Sequence, residues 1–368
     1  MKIQAAVQRT FGTPPVIEDL TIEDPRDDEI LVKICAVGVC HTDLILQGGY
    51  LPIPSPIVLG HEGSGVIEIV GAAVSGLSVG DHVVLSFNSC GECPSCSASQ
   101  KAYCHSSFPL NFGGGRMDGT TALKDESGAS IHSHIFGQSS FATHAIVSAA
   151  SAVKVDKDVS LDLLGPLGCG VQTGAGTIFN VLKPAPGASV AVIGAGAVGL
   201  SAIMAAKIAK AGKIAAIDVK PERVALAREL GATHDFIAGQ QSTSDCAAAA
   251  GCDVGFDYII DTSGLLPVVK EALPALAPRG ELAMVGSYPP GAVYEIEGSF
   301  IMSGGRSIRG VVEGGSDPQT FIPKLMNYYR DGVFPFDRLI TFFDFGDIVQ
   351  AFEQSACGGA IKPVMRMP

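Results

Sequence analysis

Three sets of residues in this sequence have the types and spacing to do chemistry. The first is Cys90, Cys93, Cys96 and Cys104, in the order C-x2-C-x2-C-x7-C. Two-residue gaps let consecutive thiolates turn inward onto one ion, and a fourth closes a tetrahedron. Four thiolates leave no position for a substrate, so such an ion would be structural. It would staple a lobe at 88–106 that has too few apolar residues to order itself. The spacing serves zinc and iron–sulfur clusters alike. A nucleic-acid-binding zinc module or zinc-ribbon regulator is disfavoured, because the surroundings lack basic residues.

The second set is looser. Cys40 lies in G-V-C-H-T-D, His61 in G-H-E-G-S-G-V and Cys169 in G-P-L-G-C-G-V-Q-T-G, each in a Gly-flanked segment between strands. Alone, a buried Cys is usually a small hydrophobe, and a His beside a Gly is usually a turn residue. Together, two thiolates and an imidazole would leave a fourth zinc position open, the pattern of a catalytic site.

The third set is Gly194, Gly196 and Gly199, a G-x-G-x-x-G that follows the apolar run Ser189 to Ile193 and opens an Ala-rich helix. Gly194 permits a tight turn, Gly196 lets backbone approach a pyrophosphate, and Gly199 lets helix pack on strand. The helix N-terminus offers N–H groups and the positive end of a dipole. Asp218 ends the next strand, 19 residues past Gly199. Its carboxylate can accept from ribose hydroxyls and would repel a 2′-phosphate, favouring NAD. Lys220 and Arg223 follow closely; an Arg so placed can favour the 2′-phosphate, but their favoured reading is as solvated helix-start charges or contacts to the adenosine ribose.

Two kinds of scaffold must carry these sets. Up to about residue 165 the chain is a succession of short apolar segments between Gly and Pro turns. Ile30 to Ala36, Gly65 to Val70, His82 to Ser86 and Phe141 to Val147 read as strands of a β-rich unit. From about 170 to 305, strand and helix alternate. Strands at Ser189 to Ile193, Lys213 to Asp218, Asp257 to Asp261 and Glu281 to Gly286 are separated by helices over Ala197 to Ala211, from Pro221 to Gly231, and over Leu266 to Ala277. That alternation implies right-handed crossovers and a doubly wound parallel sheet. The tail loses it and is expected to return to the β-rich half. The fold class is α/β, with expected boundaries at 1–170, 171–310 and 311–368. The Gly-, Ser- and His-rich stretch 105–138 has no assignment.

Composition narrows the function classes. With 47% hydrophobic and 17% charged residues the chain is core-rich, and its length fits two domains. A formal net charge of −12 without a basic stripe disfavours nucleic acid and anionic membrane surfaces. Neither a secretory h-region nor a long apolar run is present, so the expectation is a cytoplasmic protein with reduced cysteines.

With these residues in view, the chain resembles the medium-chain zinc-dependent alcohol dehydrogenases along nearly its full length. Gly60-His61-Glu62-x-x-Gly65-x5-Gly71-x-x-Val74 fits that family's zinc signature. Val79-Gly-Asp-His-Val83, the four-Cys lobe and the Gly-rich fingerprint follow in the family's order. The resemblance implies a GroES-like catalytic domain and a Rossmann domain, with the active site in the cleft between them. It implies two zinc ions per subunit and NAD: Cys40, His61 and Cys169 on the catalytic ion, Glu62 behind it, and Asp43 orienting the ligand His. Thr42 matches the hydroxyl residue that hydrogen-bonds the alcohol. Thr173, Val198 and Ser263 match nicotinamide-side positions, and His41 and Lys362 match basic positions near the pyrophosphate. Some members carry a proton-relay His where this chain has Ile45. Proton release is therefore expected from Thr42 through a cofactor ribose hydroxyl to water or His41. A homodimer or homotetramer, with an edge strand near Ser307 to Val312, completes the expectation.

The expected substrate is an apolar alcohol. Relatives that oxidise the glutathione adduct of formaldehyde carry an Arg in the loop after the fourth structural Cys. Here that place is near Phe108, in an apolar stretch. Ser86 stands where a bulky aromatic narrows the pocket of ethanol-type members, and Ile45, Leu110, Phe112 and Phe141 are further lining candidates. The segments G-V-C-H-T-D-L, L-G-H-E-G-S-G and Q-S-S-F-A-T look like the bacterial aryl-alcohol (benzyl alcohol) dehydrogenase branch, which implies benzyl-like or monoterpene alcohols. The competing readings are the glutathione-dependent formaldehyde dehydrogenase and a non-catalytic NAD-binding relative.

Overall fold

The computed structural model describes Met1–Pro368. The chain forms two compact units, one of Met1–Gly170, Asp317–Met326 and Asp337–Pro368, the other of Val171–Ser316 and Asn327–Phe336. No helix is long and apolar enough to cross a membrane.

The first unit is built on a five-stranded and a seven-stranded sheet, mostly antiparallel. Strand Glu29–Gly38 is its hub, with eight of its ten residues buried, because it is flanked on both sides and covered on both faces. It pairs antiparallel with Gly63–Val70, with His144–Ser148 and with the last strand, Lys362–Arg366. Apolar side chains from Ile3, Leu20, Ile30, Val32, Ile67 and Phe141 meet in one core. The stretch 105–138 holds a helix at Ser107–Phe112, a hairpin of Leu123–Lys124 with Ser130–Ile131, and a 3-10 turn at Ile135–Gly137. The strand expected from Phe141 starts only at His144, since Phe141 and Ala142 cross to the other sheet, where Ala142 bridges Ala5.

The second unit carries a six-stranded parallel sheet. Its spatial order is His234–Ile237, Lys213–Asp218, Ser189–Ile193, Phe256–Asp261, Leu276–Met284, Ser307–Gly310. Numbered by sequence this is 3-2-1-4-5-6, the doubly wound dinucleotide-binding order. Ser189–Ile193 is buried at every residue, as a central strand covered by helices must be. The helix expected over Leu266 to Ala277 stops at Ala272, followed by a 3-10 turn to Ala275, and strand Leu276–Met284 takes the rest. Pro274 caps the difference: without an N–H it cannot extend the helix. Strand His234–Ile237 and helix Thr243–Ala249 were not legible as elements, being short and partly exposed.

Candidate active site

Sheet register brings the first two candidate ligands together. Val37 pairs with Gly63, and the Gly38 amide donates to the Glu62 carbonyl at 3.0 Å. Cys40 and His61 therefore leave adjacent strand ends. The approach leaves no room for a side chain at Gly38, where a Cβ would lie 2.1 Å from a Glu62 carboxylate oxygen. Gly60, at φ +92°, makes the turn into His61. The third candidate arrives on the Gly165–Gly168 turn, whose Gly168 would place a Cβ 2.0 Å from the Leu85 carbonyl.

The ligand atoms of Cys40, His61, Glu62 and Cys169 all lie within 4.8 Å of one another. His61 and Glu62 are wholly buried. His61 Nδ1 is 3.0 Å from Asp43 Oδ1, and a carboxylate only accepts, so Nδ1 is the donor. Nε2 is then left buried with no hydrogen-bond partner. A buried, orphaned imidazole nitrogen facing two thiols is a costly arrangement in a protein interior unless a cation completes it. The donor set fits zinc. Asp43 is itself held by the Cys40 and Gly60 amides at 2.9 and 3.3 Å.

A hydrogen bond with Cys169 holds the Cys40 thiol well below its ordinary range; burial opposes it, and Lys362 and His61 add to the lowering. Burial pushes the His61 imidazole down, but Asp43 overrides it and raises it well above its usual value. Burial pushes Glu62 up to about 7 against the pull of Lys362. Lys362, only 3% exposed, donates to Glu62 at 2.8 Å and to the Val39 carbonyl at 3.1 Å. In this structure the ammonium sits on the carboxylate behind the cluster.

Helix His41–Gln47 starts directly after Cys40, which occupies the N-cap position. His41 is exposed at the first position; Thr42 and Ile45 are half-buried. Ser86 is wholly buried and donates to the Gly168 carbonyl at 2.6 Å, next to Cys169. Phe141 is corrected from pocket to core: it is 1% exposed, edge-on to Phe352, and would collide with any side chain at Gly60. Leu110 lines a cleft of about 730 Å3 beside the four-cysteine lobe, with Glu29, Asn88, Arg116 and His134. Neither Ile45 nor Ser86 borders that cleft. The aromatic against the candidate metal centre is instead Phe136, a residue that sequence reading missed. Its ring lies 4.6 Å from the His61 imidazole, Phe112 meets Phe136 edge-on at 5.4 Å, and Phe108 lies 5.6 Å from Phe112. Phe136 adopts φ +53°, between His134 at +67° and Ser139 at +56°. Three non-glycine residues in the left-handed region within six positions have no signature in residue type.

The four cysteines of the lobe also converge, with sulfurs within 4.8 Å of one another and no disulfide among them. Cys90 and Cys96 sulfurs are 3.9 Å apart, and a tetrahedron of zinc–sulfur bonds has edges of about 3.8 Å. Backbone amides of Cys93 and His105 point at the sulfurs of Cys90 and Cys93, at 3.4 and 3.5 Å. The His105 amide leads in lowering Cys93 to about 6, whereas burial leads in raising Cys96 to about 12. A cation holding all four as thiolates reverses that last push. This set fits zinc as well.

In the second unit the three glycines differ in what constrains them. A Cβ on Gly194 would meet Thr262 at 2.3 Å, and one on Gly199 the Gly194 carbonyl at 1.8 Å. At Gly196 nothing comes closer than Arg223 Nη1, at 3.9 Å. Gly196 is thus glycine for the sake of open space above it, as a phosphate cradle requires. Gly196 N-caps helix Ala197–Ile208 with no side chain to bond the first amides. Asp218 accepts from the Ala195 and Lys220 amides at 2.6 and 2.8 Å, fixing its carboxylate beside that turn. Thr173 neighbours the helix start, where the next residue, Gly174, would place a Cβ 1.9 Å from the Val198 carbonyl. Ser263 donates to Asp261 at 2.6 Å.

Comparison with known proteins decides what this pair of units is. Residues 26–157 match the family described as alcohol dehydrogenase GroES-like domain, and residues 197–327 match zinc-binding dehydrogenase. The chain belongs to the zinc-dependent alcohol dehydrogenases. It is 46% identical over 363 residues to a geraniol dehydrogenase of Castellaniella defragrans, covering 98% of this chain and 97% of that one. Among solved structures, the dehydrogenase superimposes on the benzyl alcohol dehydrogenase of Acinetobacter calcoaceticus with a TM-score of 0.96 at 43% identity, both chains fully covered. An alcohol dehydrogenase zinc-binding domain protein from Burkholderia ambifaria gives 0.98 at 48% identity, over 100% and 99% of the two chains. The α/β architecture, a GroES-like unit plus a Rossmann unit, agrees with the sequence-based expectation. The dehydrogenase is an oxidoreductase of alcohols that uses zinc and a nicotinamide dinucleotide.

Proposed function

We propose that this dehydrogenase oxidises primary aryl and allylic alcohols, including monoterpene alcohols, to aldehydes with NAD. The observation that carries the substrate class is the aromatic file that runs from the exposed Phe108 through Phe112 and Phe136 to the His61 ring; Ser86, wholly buried with its hydroxyl on Gly168, is core by the same measure as Phe141. A planar ring or a conjugated chain finds edge and face partners there, which a two-carbon alcohol would not use. The relatives named for geraniol and benzyl alcohol support the same reading.

Two zinc ions per chain are proposed, one on Cys40, His61 and Cys169 with Glu62 behind it, the other on Cys90, Cys93, Cys96 and Cys104. The first ion supplies Lewis acidity toward the alcohol oxygen when bound, and the dinucleotide supplies the hydride acceptor. The chain's own residues supply orientation and proton handling. Asp43 fixes the His61 tautomer, and Thr42 holds the alcohol's proton at Oγ1. His41 stands exposed one residue earlier, where it meets water. Ile45 has no proton to exchange, so release from the Thr42 hydroxyl is assigned to the His41 side. Gly194, Gly196 and Gly199 receive the pyrophosphate, with Thr173, Val198 and Ser263 toward the nicotinamide. Asp218 selects NAD by meeting the ribose hydroxyls with a carboxylate, and Arg223 lies beside the same turn. A cytoplasmic homo-oligomer paired along the edge strand Ser307–Gly310 is part of the proposal.

The test is NADH formation over a panel of benzyl, cinnamyl, geranyl and ethyl alcohols and hydroxymethylglutathione, with zinc measured on the same samples. Higher kcat/KM for the ring and allylic alcohols, with two zincs per chain, is the expected result. Preference for the glutathione adduct would overturn the substrate assignment, and fewer than two zincs the dual-site reading. His41→Gln should shift the pH profile of turnover, and an unchanged profile removes His41 as the terminal base.

A further inference from the structure

Gln138 is 1% exposed, and both ends of its carboxamide are in use. Its Nε2 donates to the His61 carbonyl at 3.0 Å and, at 3.4 Å, to the Ser86 carbonyl. Its Oε1 accepts from the Gly63 amide at 3.1 Å and from the Ser140 hydroxyl at 2.9 Å. One side chain therefore grips the backbone on both sides of Glu62 and also the end of strand His82–Leu85. Ser86 in turn donates its hydroxyl to Gly168, the residue before Cys169. The His61 and Cys169 turns are thus joined twice, once directly, where the Gly170 amide donates to the Glu62 carboxylate at 3.1 Å, and once through this carboxamide and Ser86.

The segment that delivers it is held out of its relaxed conformation. His134, Phe136 and Ser139 are left-handed without being glycine, and Ser139 anchors the arch by donating to the Val58 carbonyl at 2.6 Å and accepting from the Ile135 amide at 3.0 Å. Such strain persists where surrounding contacts over-determine it and is concentrated at functional sites. The same arch lays Phe136 on the His61 ring.

We propose that Gln138 is a positioning residue that sets the spacing between the His61 and Cys169 turns, so that imidazole and thiolate converge on one ion. The proposal rests on the reading of Cys40, His61 and Cys169 as ligands. The chemistry demands an amide. A glutamate of the same length keeps the acceptor for Gly63 and Ser140 but faces two carbonyls with no donor. A methionine keeps the volume and supplies neither.

The experiment compares zinc release to a coloured chelator from folded wild-type, Gln138→Glu and Gln138→Met holoenzymes, with cobalt-substituted forms examined for their ligand-field bands. One ion per chain should leave about ten- to 100-fold faster in both variants, the range typical of lost outer-shell support. The other ion, on the four cysteines, should leave at the wild-type rate, and the cobalt bands should shift. Ser140→Ala removes only the hydroxyl that donates to Gln138 and keeps the Ser140 amide on the Gly60 carbonyl, so its release rate should stay near wild type. Unchanged release in both Gln138 variants overturns the proposal, and so does equal acceleration in Ser140→Ala, which would mean general loosening of the arch. If the Glu and Met proteins do not fold, Gln138→Asn, an amide one methylene shorter, is measured in their place; a wild-type rate there is also refuting. A Cys40→Ser protein that still holds both ions would remove the ligand reading beneath the proposal, an outcome separate from any result at Gln138.

Discussion

Replacing Asp43 by Asn changes one oxygen to an NH2 group and should loosen the ion held beside it. Three donors converge on the native carboxylate: His61 Nδ1 at 3.0 Å, the Cys40 amide at 2.9 Å and the Gly60 amide at 3.3 Å. Asparagine has a single acceptor oxygen, so it must choose. With the oxygen toward His61 and Gly60, its NH2 faces the Cys40 N–H, and a buried amide is stranded at a cost of about 1–3 kcal/mol. With the amide reversed, NH2 faces Nδ1, which must then accept. The imidazole proton moves to Nε2 and occupies the atom meant for the metal. Either choice weakens zinc binding, by roughly 10- to 100-fold in the range found for outer-shell partners of ligating histidines. The assay is competition for zinc against a chelator of known affinity, run on Asp43→Asn and wild type and referenced to the tightly held ion of the cysteine lobe. Equal affinities for the weaker ion in the two proteins would refute the tautomer argument. Loss of the lobe's ion instead would place the damage in the wrong site.

Cys93→Ser should remove one zinc per chain and lower the thermal midpoint; retention of two zincs by elemental analysis would contradict the lobe's assignment. Asp218→Ala should lower kcat/KM with NAD by roughly ten- to 100-fold, the worth of hydrogen bonds to a charged group, and improve the ratio for NADP; steady-state kinetics with both dinucleotides checks it. Acid stability should depend on Glu29, which Arg116 grips at 2.5 and 2.9 Å. Burial pushes this carboxyl up, but His134 and Arg116 prevail and hold it at about 2. A depressed folded value means stability present above the unfolded value of about 4.3 and lost as pH falls toward about 2. Arg116→Met, which leaves Glu29 to His134 and the Arg26 amide, should cost about 1–3 kcal/mol near neutral pH and flatten the loss between pH 4.5 and 2, read from denaturant midpoints against pH.

The nucleotide half was the most legible part of the fold, because a buried parallel strand and a glycine turn write themselves locally. Ser189–Ile193 and Lys213–Asp218 have the bounds that the sequence pattern indicates. The four-cysteine lobe is equally local, and its spacing alone implied convergence. Cys40, His61 and Cys169 are brought within reach of one another by sheet register and two glycine turns, which no spacing announces; only the likeness to a family joined them. Phe141, a lining candidate on its apolar character alone, is core because its ring fills the space that Gly60 leaves open, a fit that depends on backbone far away in sequence. Phe136 and Gln138 were unreadable for a different reason. Their side chains are aimed by left-handed backbone at His134, Phe136 and Ser139, and residue type does not encode that aim.

The order in which the first unit's parts leave the ribosome differs from the order in which they sit side by side. Cys40, Asp43, His61, Glu62 and Cys169 are all synthesised before any residue of the nucleotide half, while the strand Lys362–Arg366 that pairs beside Gly38 follows it. Until that strand docks, Glu62 has no ammonium at 2.8 Å to neutralise it. The ammonium that opposes the burial of this carboxyl is thus supplied by a strand some 300 residues away in the chain. The charge balance around Cys40, His61 and Cys169 is therefore set by a residue that none of the segments carrying those side chains contains, so damage to the Lys362–Arg366 strand reaches the site without touching it.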